Sequence, residues 1–422
     1  MIRGRTVLAM LGTLLAVLVT LNASLGNKQI DSPLPHRAPV GDPQFLRSTS
    51  GALAQPIVAG NRIDTLANGH EIFPAMLAAI RGARTSITFE TYIYWSGDVG
   101  REIAQALQER ASNGVAVHLM LDWIGGRLDD RQLDQMQANG VRVVRYKPPR
   151  WFNLHRMNNR THRKLMVVDG RIGFIGGAGI ADQWAGNAQD PNHWRDTHYE
   201  VRGPAVARLQ SAFTDNWLQA TGEVLAGSTY FPPLQPEGGA AALVFTSSPG
   251  GRSASIQLMT LLAIAGSTRT LDLATPYFLP DDVAIRMLVA ARARGVRVRI
   301  LVPGPAIDLQ LMRRASRSLW KPLLQAGVEI HEYQPTMLHW KLLVADGRWT
   351  SVGSANFDDR SFAINDEANM NVDDEQFARR QQDLFEQDLL RARRITLEDW
   401  RARPLGKPTE SSVSAEYSCC AS

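Results

Sequence analysis

The segment "TMLHWKLLVADG", residues 336–347, is mostly apolar and closes with an aspartate and a glycine, which predicts a buried β-strand. Because side chains alternate between the two faces of a strand, His339 and Lys341 are expected on the same face. A single histidine in a core strand is usually structural, and a single buried lysine usually reaches solvent or pairs with an acid. Taken alone, this segment predicts a strand and no particular chemistry.

A second copy of the pattern changes that interpretation. The segment "RTHRKLMVVDG", residues 160–170, has the same H-x-K-x-x-x-x-D spacing, and the two histidines lie 177 positions apart (162 to 339). The matching residues are His162, Lys164 and Asp169 in the first copy and His339, Lys341 and Asp346 in the second. The chain has only six lysines among 46 basic residues, so a lysine in both copies favours a need for a compact ammonium group. A shared function explains the repeated spacing better than chance does.

The regions before the two motifs are also alike. In each half an apolar run, a segment of helical period and a second apolar run precede the His-Lys segment, as in residues 86–94, 101–114 and 115–122. Strands that alternate with helices predict an α/β fold. We therefore expect two pseudo-symmetric α/β halves, each with a mixed central sheet flanked by helices, and an active site at their shared cleft.

Composition shifts along the chain predict its domain organisation. The predicted segments are a signal peptide or membrane anchor (1–28), a Pro-rich linker (29–60), a first half (61–229), a linker (230–241), a second half (242–403) and a polar tail (404–422). The two cysteines, Cys419 and Cys420, are adjacent in that tail, which excludes a disulfide framework and a cysteine metal site.

The N-terminus and the overall charge bear on location and partners. Arg3 and Arg5 precede an apolar run over residues 7–21, which is typical of a signal peptide or a short membrane anchor. A basic flank stays in the cytoplasm, so we expect a membrane location with the rest of the chain on the outer side, which in a bacterium is the periplasmic side. The formal net charge of +5 suits an acidic partner, either anionic lipid or nucleic acid. Trp151 and Phe152, in a basic segment, are consistent with contact with a membrane surface, and equally with packing beneath a loop.

Two histidines and two lysines suit phosphodiester chemistry. One imidazole is able to attack phosphorus while the other, protonated, donates to the leaving oxygen, and histidine is the side chain that holds both forms near neutral pH. Two ammonium groups can offset the charge of the non-bridging oxygens, a task that many enzymes give to a metal. No ligand cluster stands out in the sequence, so we expect no metal and no cofactor, and a bell-shaped pH dependence.

Several other residues are candidates for the same site. In "VGSANFDDRSF", Ser354 and Asn356 are expected to donate to phosphate, with an ordinary turn as the alternative. Glu367 is a candidate to orient a catalytic imidazole, and Asp196 is a candidate for the other half. Asp169 and Asp346 lie an odd number of residues past the lysines, so they point away and are predicted to be structural.

The motifs together resemble the phospholipase D superfamily and, within it, bacterial cardiolipin synthases; the similar segments are "NRTHRKLMVVDGRIGFIGG", "WRDTHYEVRGPAV", "TPYFLPDD", "GVRVRILVPG", "MLHWKLLVADG" and "GSANFDDRSFAINDEANM". The resemblance covers residues 65–400 and implies a covalent phosphatidyl-histidine intermediate without a metal. It implies phosphatidylglycerol, or in some members phosphatidylethanolamine, as the acceptor, with His162 as nucleophile and His339 as general acid. The chain departs from the pattern at Gly179, where the family usually has an asparagine.

Four functions follow from these observations. The first is a phosphatidyltransferase that forms cardiolipin, and the second is a phospholipase D that uses water and releases phosphatidic acid. The third is a nuclease. Two features of the sequence argue against it: the N-terminus is typical of export, and no stripe of arginines alternates with aromatic residues that could stack on bases. The fourth is a non-catalytic lipid-binding protein, against which stand the two complete motifs. Phospholipids and a membrane surface are the expected partners, and nucleic acid is not.

Overall fold

The computed structural model describes residues 12–13, 30–148, 159–248 and 254–403. Most of the predicted N-terminal segment, the aromatic pair at 151–152 and the polar tail with its cysteines lie outside these residues. Within the described part, no helix has the length and apolar character needed to cross a membrane.

Twelve α-helices lie within the described residues. They are α1 (Pro43–Leu53), α2 (Gly69–Gly82), α3 (Asp98–Ser112), α4 (Asp130–Ala138), α5 (Val206–Thr221), α6 (Ser255–Gly266), α7 (Asp282–Ala293), α8 (Gln310–Ser318), α9 (Trp320–Gln325), α10 (Asp359–Ala363), α11 (Glu375–Leu389) and α12 (Leu397–Arg401), with a 3₁₀ turn at Asp182–Trp184.

Nineteen β-strands accompany these helices in the same part of the chain. They are β1 (Val58–Ala67), β2 (Ser86–Thr91), β3 (Tyr94–Trp95), β4 (Ala116–Asp122), β5 (Gly126–Arg127), β6 (Arg142–Tyr146), β7 (Leu165–Val168), β8 (Ile172–Gly176), β9 (Thr197–Arg202), β10 (Ala240–Ser247), β11 (Thr270–Ala274), β12 (Phe278–Leu279), β13 (Arg297–Pro303), β14 (Glu329–Tyr333), β15 (Leu342–Ala345), β16 (Trp349–Gly353), β17 (Phe357–Asp358), β18 (Glu367–Asp373) and β19 (Ala392–Ile395).

The strand order shows the internal duplication directly. In the first half the strands are ordered β1-β9-β8-β7-β2-β4-β6, and in the second half the equivalent order is β10-β18-β16-β15-β11-β13-β14, with β19 added at the edge. Parallel pairs such as β2 with β4 and antiparallel pairs such as β2 with β7 occur together in each half. The prediction of two pseudo-symmetric α/β halves with mixed sheets is confirmed.

The halves join edge to edge and share part of their core. Strands β1 and β10 pair antiparallel, so the two sheets form one 15-stranded sheet. One apolar cluster draws on both halves, with Leu165 and Ile175 from the first and Leu342 and Val352 from the second. This shared packing fixes the two motif segments relative to each other, because a close-packed interior resists sliding.

The predicted strand at 336–347 is shorter in the structure than in the sequence analysis. Strand β15 begins at Leu342, and β7 begins at Leu165, so each His-x-Lys triplet immediately precedes its strand. The backbone at these triplets hydrogen-bonds with the opposite half, as in His339 N–H to the Arg195 carbonyl at 2.7 Å. The apolar pattern does not distinguish a strand from such an extended connection, since residues 336–345 are buried throughout, in the connection as well as in the strand.

The segment predicted as a Pro-rich linker, 29–60, carries regular structure. Helix α1 lies within it, β1 begins at its end, and the Phe45 ring packs edge-on against Trp349 with centroids 5.2 Å apart. The Val40 N–H donates to the Gly266 carbonyl at 2.8 Å. This segment therefore covers the core of the second half. The remaining domain bounds stay predictions.

Candidate active site

The centre of the molecule holds two histidine–carboxylate pairs that cross between the halves. His162 Nδ1 lies 3.0 Å from both carboxylate oxygens of Glu367, and His339 Nδ1 lies 2.7 Å from Asp196 Oδ2. In each pair the histidine comes from one half and the carboxylate from the other. A carboxylate that accepts the Nδ1 proton fixes the ring's tautomer and leaves Nε2 available for chemistry.

Two short backbone bridges hold these pairs in place. Thr161 bridges Asp366, and the His162 N–H donates to the Asp366 carbonyl at 2.8 Å. The equivalent bridge in the second motif joins Leu338 to Arg195. Each catalytic candidate and the carboxylate it contacts are therefore one residue from a bridge between the halves, so the pseudo-symmetry of the fold extends to the site.

The contacts to the two carboxylates differ. The Trp184 indole N–H donates to Asp196 Oδ2 at 2.8 Å, whereas the Ser354 hydroxyl donates to Glu367 Oε2 at 2.5 Å. A serine hydroxyl has a single proton, so in this arrangement Ser354 cannot also donate to phosphate. The prediction of Ser354 as a phosphate donor is replaced by a positioning contact on Glu367.

Both motif lysines are buried beside their histidines. Lys341 Nζ lies 3.0 Å from His339 Nδ1 and donates to the His339 carbonyl at 2.6 Å, while Lys164 Nζ donates to the His162 carbonyl at 2.8 Å. The two lysines are only 2% and 3% exposed. Among the residues that the structure describes, no carboxylate forms an ion pair with either lysine, and two such buried ammonium groups make a site that favours an anion.

Burial governs the titration of the lysines. It lowers the pKa of Lys164 to about 7, with a further contribution from the Lys341 charge, and it lowers the pKa of Lys341 to about 8. Nearby carboxylates, Asp196 and Glu367 among them, oppose both changes. The ammonium form is costly here because burial removes the water that would otherwise solvate its charge.

Burial also keeps the imidazoles neutral. It lowers the pKa of His162 to about 4 and that of His339 to about 3, and the lysine charges act in the same direction. The paired carboxylates stay ionised: burial tends to raise the pKa of Glu367 and Asp196, but contacts with the imidazoles and the lysines outweigh it, and both pKa values are lowered. The site thus holds ionised carboxylates paired with neutral imidazole rings.

The family described as "Cardiolipin synthase, PLD-like domain" matches residues 76–216 and 261–389, one segment in each half. The chain belongs to this cardiolipin synthase family.

Individual relatives agree with that assignment. Cardiolipin synthase A of Pseudomonas putida strain GB-1 is 34% identical over 358 residues, which cover 84% of this chain and 74% of the relative. Cardiolipin synthase of Geobacillus kaustophilus is 33% identical, with 90% of this chain and 75% of the relative covered. Among solved structures, a phosphatidylserine synthase of Haemophilus influenzae has a TM-score of 0.64 at 15% identity, covering 89% and 97% of the two chains, which shows a shared fold.

Within this member of the cardiolipin synthase family, the two halves differ at the candidate phosphate donors. Asn356 is buried, lines a small cavity with Lys341, and its Oδ1 has no hydrogen-bond partner among the described residues. At Gly179 an added Cβ would lie 2.8 Å from Ile93 Cβ and 3.1 Å from the Trp184 ring. The place of the expected amide is therefore filled by apolar neighbours in the first half, while the second half keeps its amide at the cavity.

Asp169 and Asp346 are placed away from the imidazoles. The Asp346 carboxylate accepts backbone N–H bonds from residues 268–270, and the Asp169 carboxylate accepts the equivalent bonds from residues 84–86. Each carboxylate thus caps the turn that leads into the neighbouring strand, β11 or β2. This is the arrangement of a structural carboxylate, as the sequence analysis proposed.

Three aromatic residues of the site were not predicted from the sequence. Tyr92 packs edge-on against His162 with ring centroids 5.2 Å apart, and Trp184 and Trp194 flank His339 at 5.2 and 5.5 Å. Tyr92 directly follows strand β2, where functional residues of α/β proteins commonly lie, and this position was the available signal. Trp184 lies in a 3₁₀ turn without a motif, so nothing in the sequence pointed to it.

Proposed function

We propose that this chain is a phospholipase D-type phosphatidyltransferase that forms cardiolipin from two phosphatidylglycerol molecules through a phosphohistidine intermediate. The observation that carries the proposal is the crossed arrangement of His162–Glu367 and His339–Asp196, with a buried lysine beside each imidazole. It supplies two oriented imidazoles and two cationic groups around one position. The names of the family and of its relatives support the substrate class.

In the first step His162 Nε2 attacks the phosphorus of the donor lipid. The bond from phosphorus to the headgroup glycerol breaks, His339 Nε2–H transfers its proton to the departing oxygen, and free glycerol leaves. Lys164 and Lys341 offset the charge of the non-bridging oxygens, which grows as the new bond forms.

In the second step the headgroup hydroxyl of another phosphatidylglycerol attacks the phosphohistidine. Its proton passes to His339 Nε2, the bond between phosphorus and His162 breaks, and cardiolipin is released. Glu367 and Asp196 hold the two imidazoles in the required tautomer throughout, as the aspartate of a catalytic triad does. Water in place of the second lipid would give phosphatidic acid.

The general acid needs a proton that burial disfavours. Both imidazoles are neutral at neutral pH, because burial and the lysine charges lower their pKa values. An anionic phosphodiester between the lysines cancels part of that positive charge and raises the pKa of the neighbouring imidazole. The proton that His339 needs is therefore favoured only when the donor lipid is bound.

The proposal places the enzyme at a bacterial membrane, with the catalytic part on the outer side. The basic N-terminal flank followed by an apolar run supports this orientation, and the lipid substrates require contact with a bilayer surface. Phosphatidylglycerol is the proposed donor and acceptor, with phosphatidylethanolamine as an alternative acceptor.

The test is lipid analysis of a bacterial host that lacks cardiolipin. The full chain is expressed beside its His162→Ala and His339→Ala variants, with Arg208→Ala on the exposed side of α5 as the matched control. We expect cardiolipin with the unsubstituted chain and the control, and none with either histidine variant. Formation of phosphatidic acid without cardiolipin would show that the enzyme is a hydrolase and not a transferase. An unchanged lipid composition would rule out both lipid reactions.

A further inference from the structure

A buried ion pair joins the two halves beside the contact between His162 and Glu367. Lys147 Nζ of the first half lies 2.9 Å from Asp366 Oδ2 of the second half, and these side chains are 18% and 0% exposed. The Ser248 hydroxyl donates to the other carboxylate oxygen of Asp366. Because Asp366 directly precedes Glu367 in the chain, this first pair lies one residue from a catalytic contact.

A second ion pair joins the halves beside His339. Arg195 Nε of the first half donates to Asp388 Oδ2 of the second half at 2.8 Å, and these side chains are 4% and 8% exposed. Arg195 directly precedes Asp196, the carboxylate that contacts His339. Equivalent positions of the two halves, Asp366 and Arg195, thus carry opposite charges, and each has a buried partner of the other sign.

The backbone of each of these two residues holds a catalytic histidine. The Asp366 carbonyl accepts from the His162 N–H at 2.8 Å, and the Arg195 carbonyl accepts from the His339 N–H at 2.7 Å. In both cases the N–H of the same residue donates to the carbonyl two positions before the histidine, at 2.8 and 2.9 Å. An ion pair therefore fixes the side chain of the very residue whose backbone fixes the histidine.

The energetics of buried ion pairs favour a role in position over a role in stability. Such a pair contributes little net stability, because the cost of removing both charges from water offsets their attraction. Loss of one partner leaves an unpaired charge in the interior, which moves toward water or changes its protonation state. The attached backbone moves with it, and a displacement of about 1 Å at a reacting group lowers a rate by about 10²-fold.

We propose that the first pair, Lys147–Asp366, and the second pair, Arg195–Asp388, are positioning pairs, one for each catalytic imidazole. This inference rests on the proposed function, which makes one imidazole the nucleophile and the other the general acid. The first pair holds the nucleophile toward phosphorus. The second pair holds the general acid toward the leaving oxygen.

The experiment separates the two pairs by the leaving group. The glycerol of phosphatidylglycerol needs a proton from His339 as it departs, whereas the p-nitrophenolate of bis(p-nitrophenyl) phosphate departs without one. Release of p-nitrophenolate is followed with full-length enzyme in excess over this substrate, so that only the first step is seen. Cardiolipin formation on phosphatidylglycerol vesicles is measured with the same preparation. The readout is the ratio of cardiolipin formation to p-nitrophenolate release, which a loss of folded enzyme leaves unchanged.

Each pair is tested with a single and a double substitution. Lys147→Met and Asp388→Asn each remove one charge and leave its partner buried. The double variants, Lys147→Met with Asp366→Asn and Arg195→Met with Asp388→Asn, leave no unpaired charge, so they are expected to fold even where a single substitution prevents folding. Circular dichroism gives the folded fraction of every variant.

We expect the two pairs to give different results. Lys147→Met should lower both rates per folded enzyme about 10-fold or more and keep their ratio within about 3-fold, because the nucleophile serves both substrates. Asp388→Asn should lower the ratio about 10-fold or more, because only the lipid reaction needs the proton donor. The double variants should be folded and show the same losses. Lys321→Met and Asp383→Asn, at exposed positions of α9 and α11, are the matched controls and should change neither rate.

Three results would show that the pairs serve stability alone and would overturn the proposal. They are an unchanged ratio in both Asp388 variants, full activity per folded enzyme in the variants of either pair, and loss of the fold in the double variants. Failure of the proposed function gives a different result. In that case the unsubstituted enzyme forms no cardiolipin, or it releases p-nitrophenolate no faster than its His162→Ala variant, whatever the ion pairs do.

Discussion

His162 and Glu367 lie 205 residues apart in sequence and hydrogen-bond across the seam between the two halves, with 3.0 Å from Nδ1 to each carboxylate oxygen. The equivalent pair, His339 with Asp196, crosses in the opposite direction. Neither half therefore contains a complete catalytic unit. The interface between the halves is as much a part of the site as the motifs themselves.

The first prediction concerns the crossed carboxylate. Glu367→Gln should lower kcat by about 10²- to 10⁴-fold, because an amide donates where the carboxylate accepts and favours the wrong tautomer of His162. The measurement is cardiolipin formation on phosphatidylglycerol vesicles, with thermal unfolding as a check on folding. Glu375→Gln, an exposed position on α11, is the matched control and should leave kcat unchanged. Full activity of the Glu367→Gln variant would show that Glu367 does not orient His162.

The second prediction concerns the alkaline side of the pH profile. Burial lowers the pKa of Lys164 to about 7 and that of Lys341 to about 8, so both lose their positive charge as pH rises through this range. We expect kcat/KM to fall over the same range, since a neutral amine no longer offsets phosphate charge. Bis(p-nitrophenyl) phosphate is a suitable substrate because its leaving group departs without a proton. A profile that stays flat to about pH 10 would contradict this assignment.

The third prediction separates stability from activity. The pKa of Lys341 falls from 10.5 to about 8 in the folded protein, so the unfolded chain binds the proton more tightly and the charged lysine destabilises the fold below about pH 8. Lys341→Met should therefore abolish transfer yet stabilise the fold by on the order of 2 kcal/mol at pH 7. The unsubstituted protein should become more stable between about pH 8 and 10.5, because the destabilising charge on Lys341 is lost over this range. The Lys341→Met variant should gain less stability over the same range.

Chemical denaturation at pH 7 and pH 10 measures both effects of the Lys341→Met substitution. Lys321→Met is the matched control, because Lys321 is exposed on α9 and its replacement should change the free energy of unfolding by less than about 0.5 kcal/mol. A destabilised Lys341→Met variant would show that packing around the ammonium group outweighs its burial cost.

The fourth prediction concerns the departure from the family pattern. Gly179→Asn should lower activity instead of adding a phosphate donor, because the new Cβ would lie 2.8 Å from Ile93 Cβ and press on Trp184. Movement of Trp184 would break its indole hydrogen bond to Asp196. Activity and melting temperature should both fall, whereas Gly82→Asn, which has open space around its Cβ position, should change neither strongly. A gain in kcat would mean that the first half is short of a donor and has room for one.

The sequence was most informative where a pattern repeats. Two copies of one spacing predicted the duplication, the two histidines and the two lysines, and a carboxylate partner for an imidazole was inferred at Glu367 and Asp196. Ser354 was expected to donate to phosphate from the turn that follows the second motif, but its hydroxyl donates to Glu367. The acceptor to which a hydroxyl donates depends on its neighbours in space, and these cannot be read from spacing along the chain.

The sequence by itself determined that the fold is duplicated, and it predicted which side chains carry the chemistry, because repetition and residue type are properties of the chain. Tertiary structure alone decided that each imidazole takes its carboxylate from the other half and that Trp184 and Ile93 fill the space beside Gly179. The physical reason is that these relationships arise where β1 meets β10 and the two sheets pack on a common core, which brings distant segments within hydrogen-bonding range.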